Sequence, residues 1–225
     1  SGETGITAFV AGGYTSEGGG HINSDGQPFI SWMWNAGSST VSNTDGSITS
    51  SVRANPSAGF SIVTWTGNSG TVGHGLNAAP GLIISKIRNT SSAWPVQHSY
   101  DTSQFLTLNS TDAASSDTTR FGAAPTSSVF SVGSWWNSSS NGVAYCFAPV
   151  EGYSAFGSYT GNGANNGPAV YTGFKPRWVL IKRMDNTGDW RIWDTARDPH
   201  NVSDFKLYPN KTDAETGSSD TNDPG

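Results

Sequence analysis

The chain has 225 residues, enough for one large or two small domains, with 34% hydrophobic and 12% aromatic residues. Its net charge is −5 and its 12 Lys and Arg form no cluster, which argues against nucleic acid as a main partner, because phosphate binding needs a basic footprint. No apolar run reaches the ~18 residues of a membrane-spanning helix, so no membrane insertion is expected, and the single cysteine, Cys146, rules out an intrachain disulfide.

Residues 1–28 are Gly-rich, with one apolar patch at Ile6 to Val10. They predict an edge strand followed by a linker, broken at Gly18-Gly19-Gly20. Phe29 to Trp34 is expected as a strand, and Asp45-Gly46 as a hairpin turn inside the loop-rich span Gly37 to Ala58. Further strands are expected at Phe60 to Thr66, Val72 to Leu76, Leu82 to Arg88, Ala93 to Tyr100, Phe105 to Leu108 and Ser128 to Val132. The later part predicts strands over 143–148, 153–159, 168–172, 177–184, 190–194 and 204–208. The last hairpin turns at Asn186-Thr187-Gly188-Asp189. No helical period of useful length occurs, and Asp198 to Asp204 holds one helical or 3₁₀ turn at most.

Charged residues make up only 13% of the chain, against about 25% in an average domain, and Gly, Ser, Thr and Asn fill the deficit. Each aromatic buries about 150–250 Å², so most of the Trp side chains are expected in the core. Many short strands separated by turn signals mean an all-β sandwich or barrel.

Two stretches of the chain resemble each other. Pro80 to Lys86 matches Pro176 to Lys182, and Trp94 matches Trp190 after turns of equal length. Phe105 with Asn109 to Ala113 matches Phe205 with Asn210 to Ala214. Upstream, Trp65 to Asn68 matches Tyr159 to Asn162, and Ile30 to Trp34 matches Val143 to Phe147. We therefore expect two related β-sandwich-like, jelly-roll-type repeats packed together, with antiparallel strands and little or no helix. The first covers 29–142 and the second 143–225. The second repeat reads as truncated, since the first continues to Ser128 to Val132. The chain also starts at Ser1 without Met, so it is expected to be cut from something longer, or to have its closing strand supplied by another chain.

The chemistry-bearing residues do not assemble into a catalytic or metal pattern. His21, His74, His98 and His200 are isolated, and no nucleophile elbow, EF-hand loop or phosphate-binding loop occurs. Asp185 and Asp189 flank a turn, and Asp194 to Asp198 with Arg197 reads as a salt-bridged corner. Lys86 and Lys182, each with an Arg nearby, read as edge-protecting lysines or as an anion contact. Cys146 lies mid-strand and is expected to be a buried inert thiol. The sequons at Asn89, Asn109, Asn137, Asn201 and Asn210 are expected by chance in so Asn-, Ser- and Thr-rich a chain. Trp135 and Trp136 lie in a polar loop. In an extended chain they would point to opposite faces, leaving one as a glycan-stacking or subunit contact. No catalytic residue, metal site or cofactor is expected.

The ordered motifs Thr126 to Gly133, Val143 to Ala148, Glu151 to Ser154, Gly157 to Gly163, Arg177 to Arg183, Thr187 to Trp190 and Asp194 to Asp198 carry a family likeness. This set is similar to an uncharacterised domain of virion and tail-fibre-like proteins of environmental bacteriophages. The resemblance spans roughly residues 29–215 and implies a non-enzymatic structural component of the virion, located in the extracellular particle. A tail fibre or related appendage is favoured, with contact to host-surface glycans as an added role. Fibre proteins are commonly homotrimers, so the resemblance implies self-association, a trimer first, and contact with other virion proteins. The alternatives are a carbohydrate-binding module of an extracellular adhesin and a capsid decoration protein.

Overall fold

The computed structural model describes residues 5–17, 22–199 and 203–217. The chain forms two compact units, Ser1–Trp34 and Asn35–Gly225. The first contains one antiparallel hairpin, β1 (Ile6–Val10) with β2 (Gly13–Ser16), and every residue of β1 is exposed. Among the described residues β1 pairs with β2 alone. Phe29 to Trp34, expected as a strand, is not one; these residues expose large apolar side chains instead. Among the described residues no strand pairs with this segment.

The second unit is all-β and sandwich-like. Its strands are β3 (Val41–Asn43), β4 (Ser50–Asn55), β5 (Phe60–Thr66), β6 (Gly70–Gly73), β7 (Leu82–Ile87), β8 (Pro95–His98), β9 (Leu106–Thr107), β10 (Val129–Val132), β11 (Asn141–Phe147), β12 (Trp178–Ile181) and β13 (Arg191–Asp194). Seven of them form one antiparallel sheet in the order β3-β4-β5-β11-β7-β8-β9. Helix among the described residues is limited to a 3₁₀ turn, Pro56–Ala58, capped by the Asn55 side chain. The turn considered at Asp198 to Asp204 falls partly outside the described residues.

Alternation along the central strands decides which side chains form the core. Val52, Val63, Trp65, Ile83, Ile87, Ala144 and Cys146 share one face of the sheet and are buried under Val72, Phe121, Phe130 and Trp136. The covering layer includes the ribbon β6–β10. The inward side chains of β11 are all small: Gly142, Ala144 and Cys146. A Cβ at Gly142 would lie 2.3 Å from the Trp65 ring, so the indole lies flat on the β11 backbone only because glycine is there. The free thiol of Cys146 is buried, and burial pushes its pKa up to about 12, as its mid-strand position led us to expect.

The internal resemblance extends to the hydrogen bonding of the two hairpins. The hairpin β7–β8 pairs Leu82 with His98, Ile83 with Gln97 and Ile84 with Val96. The hairpin β12–β13 pairs Trp178 with Asp194, Val179 with Trp193 and Leu180 with Ile192, the same register. Ser99 N–H donates to Gly81 O at 2.9 Å, and Thr195 N–H to Arg177 O at 2.9 Å. Trp94 N–H donates to Asn109 Oδ1 at 2.9 Å, and Trp190 N–H to Asn210 Oδ1 at 2.9 Å. Val96 pairs with Leu106 as Ile192 pairs with Leu207, and Phe105 bridges Ser115 as Lys206 bridges Thr216.

The shared geometry runs from Gly81 to Ser115 and from Arg177 to Thr216. Upstream it stops. Val143 to Phe147 is central strand whereas Ile30 to Trp34 is not a strand, and Trp65 is in β5 whereas Tyr159 is in an irregular segment. The boundary expected between 142 and 143 falls inside β11, which pairs with β5 and β7 on its two sides. Nor are 153–159 and 168–172 strands, and 204–208 contributes only isolated bridges.

The later copy packs on the opposite face of the sheet from the main core. Trp190, with Leu180 and Met184, covers Leu82, Ile84, Val96 and Leu106. Its indole Nε1–H donates to Thr107 O at 2.8 Å. The counterpart Trp94 is half-buried, with Lys86 Nζ 5.9 Å from its ring centroid. Equivalent positions have thus diverged, one into a core plug and one into a surface ring. Trp190→Ala is expected to lower unfolding free energy by about 3–5 kcal/mol, since it leaves a cavity. Trp94→Ala should cost about 1 kcal/mol, with urea denaturation of both variants as the measurement.

Candidate functional site

The two described histidines keep to structural duties. His74 is fully buried; its Nδ1 accepts from Leu76 N–H at 3.2 Å, so its Nε2–H faces Thr126 O at 3.1 Å. Burial lowers its pKa and outweighs the Thr126 carbonyl and the Asp45 charge, which favour the charged form. His98 Nδ1 accepts from Tyr100 N–H at 3.0 Å, while Asp101 spends its oxygens on Ser103 and Gln104. The two side chains therefore make no relay. They line a crease that has no room for a water-sized molecule. His21 and His200 lie outside the described residues. Among the described residues no three His, Cys, Asp or Glu side chains converge into a metal-binding group.

The acidic residues near the second hairpin are spoken for. Asp194 pairs with Arg197 Nε at 2.7 Å, and both side chains are over nine-tenths buried. Asp194 Oδ1 also accepts the N–H groups of Ala196 and Arg197, as His98 Nδ1 accepts that of Tyr100 in the earlier copy. Arg197 reaches Glu215 with its other nitrogen. Asp198 Oδ2 accepts from Asp204 N–H at 2.7 Å, and Asp189 takes Lys211 at 2.8 Å and Asn210 at 2.7 Å. The expected salt-bridged corner is present, and it ties the hairpin to the strand after it.

The other singled-out residues also acquire partners. Lys86 is not an edge lysine: β7 has β11 on one side and β8 on the other, and its Nζ bonds Ser92 Oγ at 2.8 Å. The sequon residues Asn89, Asn109, Asn137 and Asn210 hold turns through their side chains. Asn201 lies outside the described residues.

Trp136 is fully buried and offers no contact surface, whereas Trp135 is half-buried. They sit in a turn, so the opposite-face rule for extended chain does not apply, and both rings pack toward the core. Trp136 is fully buried; its Nε1–H donates to Arg120 O at 2.9 Å and its ring meets Trp65 at 4.9 Å. Trp135 packs edge-on to Trp136 at 5.1 Å, and the Arg120 guanidinium lies 4.4 Å from its ring centroid.

Two other surfaces stand out. One is the segment between β11 and β12, irregular and mostly exposed, which carries Tyr153, Tyr159 and Tyr171, the last 95% exposed. Phe156 anchors it by packing where a Cβ of Gly81 would be, 2.5 Å from the ring. The other is a cleft of about 460 Å³ on the face of β3, β4 and β5 that points away from the main core. Ser42, Ser51 and Thr64 stand side by side in register across those strands. Thr66 lies in the next row, its Oγ1 donating to Asn141 Oδ1 at 3.0 Å. Arg88 reaches the same row because its N–H donates to Asn141 O at 2.8 Å, prolonging β7 along β11.

A family model described as a domain of unknown function, DUF7483, matches residues 1–223. The chain belongs to that family. No curated protein and no solved structure is significantly similar to this DUF7483 chain. The cleft escaped the sequence reading because isolated Ser and Thr in strands look like ordinary solvent-facing positions; its trace is the alternation Thr64-Trp65-Thr66 beside Thr49-Ser50-Ser51.

The Arg197 corner makes stability depend on pH. Burial disfavours the Asp194 carboxylate, but the Arg197 hydrogen bonds and charge outweigh it, so its pKa falls below the ordinary value. A carboxyl depressed on folding adds stability that is complete above its unfolded pKa, about 3.9, and is lost as pH falls through the folded one. Unfolding free energy should therefore decline as pH falls below about 5. Asp194→Asn should flatten that decline, read by urea denaturation across pH.

Proposed function

We propose that this DUF7483 chain is a structural β-module of a bacteriophage virion, in a tail fibre or related appendage, that works by assembling and not by turning over a substrate. The observation that carries this reading is the exposed aromatic segment from Tyr153 to Tyr171, held on a frame that is β throughout. Tyrosine supplies large contact area at low entropic cost and is enriched where proteins meet. The hairpin β1–β2 supports the same reading, since all of β1, including Phe9 at 86%, is exposed. A two-stranded hairpin with no covering layer is marginal by itself and gains stability from a partner. The acid and histidine side chains already engaged in turns and corners support a non-catalytic role.

Self-association as a homotrimer is the expected outcome. Sedimentation equilibrium at micromolar concentration should give three times the chain mass of 23.6 kDa. Tyr159→Ser with Tyr171→Ser should weaken assembly at least about tenfold, about 1.4 kcal/mol, without moving the urea midpoint. A monomer at all concentrations, or full assembly in the double variant, would remove the reading.

A further inference from the structure

We propose that the cleft on β3, β4 and β5 binds a saccharide bearing a carboxylate, with Arg88 as the group that reads the acid. The proposal stands apart from the assembly reading: a module can assemble without a sugar site, and bind sugar without assembling.

The size is right for a small ligand, since such sites span about 300–1,000 Å³, and this one measures about 460 Å³. Its chemistry is not that of an apolar pocket. Hydroxyls dominate the lining, and a Ser or Thr hydroxyl both donates and accepts. That is the complement a polyol needs, because every sugar hydroxyl also does both. Moreover, four of these hydroxyls are uncommitted. Among the described residues those of Thr40, Ser42, Thr49 and Ser51 bond to no protein atom, in contrast to Ser50, Thr64 and Thr66, which donate to Gly73 O, Ser51 O and Asn141 Oδ1.

Arg88 is the one charged residue in the lining. It is exposed and has no ion-pair partner among the described residues. A guanidinium matches a carboxylate with two parallel hydrogen bonds. A single positive charge on a chain of net charge −5 does not suit a polyphosphate, whose binding needs several. Rigidity favours the site too: its floor is paired strand from β3 to β5, and β5 is held by β11 on its far side. A flat, fixed row of hydroxyls loses little entropy when a sugar ring settles on it.

The test is an NMR titration of the ¹⁵N-labelled full chain with a trigalacturonate and, separately, with the uncharged galactose trisaccharide. Trigalacturonate is expected to give saturable shifts at Ser51, Thr64, Thr66 and Arg88, and to bind at least about tenfold tighter than the neutral sugar. Arg88→Gln should remove that tenfold preference while leaving the neutral sugar unaffected, and Thr64→Val should weaken both. Because Arg88 is exposed, its replacement leaves the fold intact, checked by the unchanged spectrum elsewhere. No saturable shift up to about 10 mM, shifts confined to the Tyr153–Tyr171 segment, or an unchanged preference in Arg88→Gln would each overturn the proposal. Sedimentation of the same samples separates a failed sugar site from a failed assembly.

Discussion

Everything in the larger unit depends on strand β11 lying between β5 and β7. It arrives late in the chain and pairs along its whole length on both sides, joining two hairpin systems that are otherwise separate. It can do so because its core-facing residues are small. Gly142, Ala144 and Cys146 leave the space that Trp65, Phe130 and Trp136 occupy in tight edge-on and tilted contacts. Large rings on one strand and near-absent side chains on its neighbour are a single packing solution, and it explains how a chain poor in aliphatics closes a core.

The related copies show one local structure serving two tertiary roles. Each is a hairpin whose return strand is joined by a third segment, a short strand in the earlier copy and an isolated bridge in the later, and each uses an Asn side chain to hold the N–H of a Trp at the start of the return strand. The earlier copy is built into the large sheet through β11. The later copy pairs within itself and packs flat on the earlier one. Substitution follows from that difference. Leu108 and Ala114 of the earlier copy, which pack under Trp190, are Pro209 and Glu215 in the later one, and Glu215 ion-pairs with Arg197.

Surface chemistry follows the same division. Polar residues with a short reach to the backbone were consumed by turns: Asp101, Asp117, Asp194, Asp198 and the sequon residues Asn89, Asn109, Asn137 and Asn210 accept N–H groups or hold neighbouring side chains. What was left over is hydroxyl-bearing strand surface and tyrosines on an irregular segment. Among the described residues many of the acids are thus committed to turns and corners, while much of the open surface is hydroxyls and rings.

The all-β class, most strand positions, the inert cysteine, the Asp194–Arg197 corner and the likeness of the two hairpins were legible in the sequence, because each rests on local periodicity or short-range hydrogen bonding. The extent of the duplication was not. Ile30 to Trp34 has the composition of a strand but lacks a neighbour, while Val143 to Phe147 has two, and a strand exists only where another chain segment satisfies its backbone. Tertiary context also sent Trp135 and Trp136 inward and gathered Thr64, Ser51 and Arg88 onto one face. Those residues meet only because β4, β5, β11 and β7 are adjacent, and strand order is fixed by which buried faces fit together, a relation between distant parts of the chain that no single segment encodes.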